Sequence, residues 1–222
     1  MALKATLKQK IEEFRPRTAK LVKEFGKVKI DEVTIDQCIG GARDIRALVT
    51  DISYLDPQEG IRFRGKTIPE TFEALPKAPN SAYPTVESFW YFLLTGDVPT
   101  QAQVDEVVAE FKTRQVVPSY VWDAIRALPR DSHPMVMLSV GILAMQKDSK
   151  FAGFYSSGKF NKMTAWEYVY EDASDLVARI PIVAAFIYNL KYRGDFQVAP
   201  DTSLDMGANF AHMIGQCEEY KD

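Results

Sequence analysis

Few residues in this chain could do chemistry, and their spacing defeats most mechanisms. There are two histidines, His133 and His212, and two cysteines, Cys38 and Cys217. A metal centre needs three or four ligands at workable spacing, so no metal site is expected. Nucleophilic catalysis needs a Ser, Cys or Thr beside an oriented base, and the chain has no Gly-x-Ser-x-Gly elbow. Ser132-His133-Pro134 reads as a helix start, a capping side chain followed by Pro at the first helical position. Glu171 and Asp175 fall on one helical face as i and i+4, with Asp172 alongside. Like charges so placed read as a solvated face rather than a catalytic pair. Two segments could meet phosphate. Gly40-Gly41-Ala42-Arg43 lacks the spacing and Lys of a P-loop, and Arg43 alone is an ordinary charge beside a flexible turn. The loop Gly158-Lys-Phe-Asn-Lys-Met163 offers Lys159 and Lys162.

The elements that must position these residues read as mostly helical. An amphipathic helix is expected over about 3–25, with Leu7, Ile11, Phe14, Leu21, Val22 and Phe25 at helical spacing and Pro16 predicted to kink or split it. A short turn follows at Thr34–Cys38. Within about 44–65 a β-hairpin is expected: Asp56-Pro57 and Gly60 make the turn, and Ile61 and Phe63 alternate with Arg62 and Arg64. Thr67-x-x-Glu70, Thr100-x-x-Gln103 and Thr164-x-x-Glu167 read as capping boxes opening helices. Further helices are expected over 119–128, 134–146, 164–192 with Pro181 near its middle, and 204–215. The helix 134–146 is apolar nearly all round, which predicts burial on every side, with Ser139, Gly141 and Ala144 small enough for another helix to approach closely. No repeat, low-complexity run or linker divides the chain, so one mainly α-helical domain is expected over 1–222.

Composition narrows the function classes. The net charge of −3 across 222 residues says little about partners. Residues 1–29 are basic, but Glu12, Glu13 and Glu24 interrupt them and Lys outnumbers Arg, which favours a surface helix over a transit peptide. No basic stripe with aromatic support points to nucleic acid. The longest apolar run, Pro134–Met145, is short of a membrane span, and no membrane partner is expected. Two widely separated cysteines read as ordinary thiols in a reducing compartment.

One run of motifs is more specific. Leu55-Asp-Pro-x-Glu-Gly-Ile-Arg-Phe-Arg-Gly65 resembles the N-terminal signature of citrate synthase, of the type found in mitochondria and some bacteria. Gly40-Gly41-Ala42-Arg43, Ile68-Pro69-Glu70, Leu75-Pro76-Lys77-Ala78, Phe89-Trp90-x-x-Leu93-Leu94-Thr95-Gly96 and His133-Pro134-Met135 follow the family's order. Trp166-Glu167-x-x-Tyr170-Glu171-Asp172, Ile180-Pro181-x-Val183-Ala184-Ala185 and Leu204-Asp205-x-x-x-Asn209-Phe210 continue it.

The resemblance implies an all-α fold, the multi-helical large domain of that family with a small β-hairpin near its N-terminus and the small domain mostly absent. It implies condensation of acetyl-coenzyme A with oxaloacetate to citrate and coenzyme A. No resident cofactor is implied, acetyl-coenzyme A being a substrate. Arg43 corresponds to a family arginine that contacts coenzyme A phosphates. Lys162 stands where an arginine from the partner subunit reaches coenzyme A, in a loop one residue longer. The all-apolar helix corresponds to the family's homodimer interface. The family's catalytic histidines and aspartate lie beyond this stretch, so no catalytic residue is expected in it, and His133 is structural. The end, Cys217-Glu-Glu-Tyr-Lys-Asp222, reads as a cut within a longer chain. A naturally shortened, non-catalytic structural subunit and a companion C-terminal chain are the alternatives. The expected location is a bacterial cytoplasm, with the mitochondrial matrix as the alternative.

Overall fold

The computed structural model describes residues 2–45, 49–78 and 81–216. Its elements in order are helix α1 (Ala2–Phe25), α2 (Ile35–Ile39), strands β1 (Ser53–Asp56) and β2 (Gly60–Phe63), then α3 (Ile68–Ala74), α4 (Val86–Thr95), α5 (Gln101–Arg114) and α6 (Ser119–Arg126). After these come α7 (Pro134–Met145), a 3₁₀ turn at Gln146–Asp148, α8 (Lys150–Ser156), α9 (Ala165–Tyr192) and α10 (Met206–Met213). The expected helical fold with one small hairpin is what forms. Cys217 and the chain end lie outside the described residues, as do residues 46–48 of the expected hairpin region.

Local signals set most boundaries. Thr67 and Thr100 close their capping boxes: Glu70 accepts from the Thr67 amide at 2.7 Å, and Gln103 accepts from the Thr100 amide at 2.8 Å. Thr34–Gln37 makes a third box, which turns the expected short turn into α2. The box at Thr164 does not form. Thr164 sits at ψ −6, and its hydroxyl turns back to the Asn161 carbonyl instead of capping α9. Gly96 ends α4 at φ 79, in the left-handed region where a side chain is strained. Pro16 does not split α1; one continuous helix runs through it, short of a single ladder hydrogen bond.

The hairpin pairs Ser53 with Phe63 and Leu55 with Ile61. Phe63 packs edge-on against Phe89 of α4, with ring centroids 4.9 Å apart. Arg64 leaves the strand at φ 48, and its guanidinium donates to the carbonyls of Leu93 and Leu94 at the end of α4. It thereby satisfies carbonyls that a helix end otherwise leaves open. This pins the hairpin to the helical body.

Two larger clusters hold the body together, with a smaller third of Ile182, Ala185 and Met213 between α9 and α10. Val121, Ile125, Met137, Val183, Ile187 and Leu190 join α6, α7 and α9. Leu3, Tyr91, Val107, Phe111, Tyr170 and Met206 join α1, α4, α5, α9 and α10. The common element is α9. At 28 residues it is long and apolar enough to cross a membrane, which corrects the expectation that no run reaches that length. Its charged positions made the run hard to see, and its packing marks it as the core helix. The all-round burial of α7 is also corrected. Met137, Gly141 and Met145 are buried, while Met135, Val136 and Leu143 are exposed, Leu143 at 71%.

Candidate functional site

Arg43 lies on a turn that the sequence makes unusually tight. The Gly40 amide donates to Asp36 and the Ala42 amide to Gln37, winding the chain off the end of α2. Gly41, Ala42 and Asp44 all have positive φ, at 80, 61 and 56. Gly41 tolerates this freely; Ala42 and Asp44 adopt it at some strain. Gln37 reaches over to donate to the Arg43 carbonyl. The Arg43 side chain projects into solvent, and no carboxylate among the described residues pairs with it. A planar fork free of partners is available to a phosphate.

Lys162 is exposed on the loop between α8 and α9. That loop has structure of its own. Asn161 accepts from the Met163 amide at 2.9 Å, and Arg15 of α1 donates to the Met163 carbonyl at 2.6 Å. Beneath it, Phe154 stacks on Tyr168 at 4.1 Å, and Phe160 closes on Phe151 and Phe154. No hydrogen bond or ion pair joins Arg43 to Lys162 within the chain.

The cleft beside the hairpin, about 550 Å³ in volume, is lined by Lys10, Arg62 and Arg64 among others. Each of these already holds a carboxylate: Asp97, Glu59 and Asp51 respectively. His133 caps α7, its Nδ1 accepting from the Met135 amide at 3.2 Å. His212 lies in the last turn of α10. Among the described residues no group of three or more His, Cys, Asp and Glu side chains is arranged to hold a metal ion.

One charged centre escaped the reading of the sequence. Arg114, 8% exposed, donates to Glu110 at 2.7 Å, to Glu171 at 2.8 Å and to Asp175. Tyr170 donates to Glu110 at 2.9 Å, and Lys4 to Glu171 at 2.7 Å. Glu171 and Asp175 are therefore not a solvated face; they bind α9 to α5 and α1. Asp172 is engaged too, accepting from Ser149 and from the Lys150 and Phe151 amides at the start of α8. Burial alone would raise the Glu171 carboxyl, but the Lys4 ammonium and Arg114 guanidinium hold it down to about 2. Burial and the Glu110 carboxylate push the Tyr170 hydroxyl well above its ordinary value. With Glu110, Glu171 and Asp175 each matched to a cation and Asp172 to the start of α8, this centre is a clamp and offers no free base. The Glu110–Arg114 spacing of i and i+4 was the available signal.

A family model described as "Citrate synthase, C-terminal domain" matches residues 41–222. Citrate synthase 4, mitochondrial, of Arabidopsis thaliana is 43% identical over 217 residues, 98% of this chain and 46% of that protein. A probable mitochondrial citrate synthase of Leishmania major is 48% identical over 204 residues, 90% of this chain and 43% of that one. Among solved structures, the citrate synthase of Pyrobaculum aerophilum aligns with a TM-score of 0.66 at 25% identity, covering 84% of this chain and 45% of that one. The chain thus spans about half the length of the curated relatives it matches. Relatives from plants and fungi carry the mitochondrial name, which overturns the bacterial cytoplasm and points to the mitochondrial matrix.

Proposed function

Because the chain belongs to the citrate synthase family, we propose that its 222 residues are the helical scaffold, from the first part of such an enzyme, for joining acetyl-coenzyme A to oxaloacetate. What supports this reading is a similarity that runs through 98% of the chain. The order of the motifs supports its placement in the first part. In the reaction a carboxylate removes a methyl proton from acetyl-coenzyme A, hydrogen-bond donors stabilise the enolate, and a histidine protonates the carbonyl of oxaloacetate. Hydrolysis of the resulting thioester releases citrate and coenzyme A. This stretch supplies none of those acid–base groups: His133 caps α7, and His212 lies in the last turn of α10. Its contribution is binding and positioning. Arg43 holds a phosphate of coenzyme A, and Lys162 adds charge toward the same ligand from the partner subunit of a homodimer. The open apolar face of α7 forms the seam of that dimer.

Two measurements test this. Purified, homogeneous 222-residue chain is expected to form no citrate from the two substrates; sustained citrate formation would refute the scaffold role. In a complete enzyme carrying this stretch, Arg43→Ala is expected to raise the KM for acetyl-coenzyme A about tenfold, the loss of one charge-assisted contact. The KM for oxaloacetate should stay near its original value. An equal rise in both removes the phosphate contact from consideration.

A further inference from the structure

Glu87 is a carboxyl group that the reaction does not use and that the fold has nevertheless buried. It lies in the first turn of α4 with 2% of its surface exposed. Its Oε1 accepts a hydrogen bond from the Met206 amide at 3.1 Å, across 119 residues of sequence. Met206 is the first residue of α10, so Glu87 serves an open amide of that helix from another element. The helix has its own cap as well, Asp205, whose Oδ1 accepts from the Ala208 amide at 3.0 Å. Two carboxyl groups therefore meet at one helix end. Glu87 Oε2 is buried and has no hydrogen-bond partner among the described residues.

We propose that Glu87 is a proton-dependent latch: as a neutral acid it seats the start of α10 on α4, and ionisation loosens that seat. The neutral form keeps the Met206 bond through its carbonyl oxygen and brings no charge into a dry site. The ionised form would place a second negative charge beside Asp205, with one oxygen unsatisfied. The dipole of α10 favours a negative charge at its start, but Asp205 already occupies that position. Two charged groups act on Glu87 from the elements packed around it. Asp205 on α10 opposes ionisation, and Lys112 on α5 favours it. Burial is the larger influence and pushes the Glu87 carboxyl upward. A raised carboxyl contributes stability that is complete below its unfolded value and lost as pH rises through the folded one. The docking of α10 therefore weakens with rising pH, the reverse of ordinary acid denaturation. When the latch opens, the Glu87 proton passes to solvent and nothing else is exchanged.

The test is amide hydrogen exchange in α10 as a function of pH, corrected for the intrinsic rate. In the unaltered chain, protection of the Met206 amide and its neighbours should fall by up to about tenfold per pH unit between the ordinary glutamate value and the raised docked one, the limiting slope for one proton, and level off above it. Glu87→Gln keeps the acceptor without the ionisable proton and should hold α10 protection constant across the same range. Asp205→Asn retains a capping oxygen, removes the like charge and should make the fall end at lower pH and be smaller in total. Flat protection in the unaltered chain overturns the latch, as does the same fall persisting in Glu87→Gln. Should the Gln variant fail to fold, a carbon-13 titration of the Glu87 carboxyl in the unaltered chain decides the matter. A midpoint at or below the ordinary glutamate range is incompatible with the proposal.

Discussion

Arg114 is where α5, α9 and, through Lys4, α1 are tied to one another. Its guanidinium serves three carboxylates in a site with little water, so its loss leaves Glu110 without its cation and Glu171 and Asp175 short of a partner. Arg114→Leu is expected to destabilise the fold by about 3–5 kcal/mol, read as a shift in urea unfolding, because a broken buried pair leaves uncompensated charge. An effect no larger than that of an exposed substitution would show that water replaces the arginine. Acid acts on the same centre. Glu171 is held near 2 in the fold against an ordinary value of 4.5, so its contribution is present above the ordinary value and drains away as pH falls between the two. Stability measured over that window should drop more steeply in the unaltered chain than in Glu171→Gln. None of this clamp was legible beyond the Glu110–Arg114 spacing. The partners stand 57 and 61 residues away from Arg114, and i, i+4 carboxylates look alike whether water or a guanidinium faces them.

At the scale of elements, α6, α7 and α9 come together over a single hydrogen atom. A methyl group at Gly141 would stand 3.0 Å from Ile125 and 3.1 Å from Val183, tighter than most side-chain contacts. Gly141→Val is expected to cost about 1–3 kcal/mol through overpacking, seen as a lowered Tm with the helical content of the folded state unchanged. An unchanged Tm would mean that α7 slides freely over its neighbours. Of the three small residues in α7 that the sequence marked for close approach, Gly141 is buried against its neighbours and Ala144 packs against the same cluster, while Ser139 is exposed. Capping signals at Thr67 and Thr100 were readable because a cap is a contact three residues long. Thr164 offered the same letters and failed, because the Asn161 turn captured its hydroxyl first. Pro16 likewise looked like a break and was absorbed. The cost of about 3 kcal/mol that an interior proline carries is borne by a helix whose first turn is anchored by Leu3 and whose Arg15 is tied to Met163.

For the molecule as a whole, the order of motifs carried the fold, and the phase of α7 was the part hidden from view. A helix apolar on all sides has no polar stripe to say which side faces in; only packing decides, and here it leaves Met135, Val136 and Leu143 uncovered. If that face is the dimer seam, Leu143→Asp should shift sedimentation from dimer to monomer while leaving the circular dichroism of the subunit intact. A dimer that survives the substitution places the seam elsewhere. The second core cluster has a further consequence, one of timing. Leu3 is made well before the residues it is buried with, which include Tyr170 and Met206. At about 5–20 residues per second, on the order of 10–40 s separate the emergence of Leu3 from that of Met206. Throughout that interval α1 is a basic, greasy segment without its berth, and whatever shelters nascent chains has it as a client until Met206 has emerged.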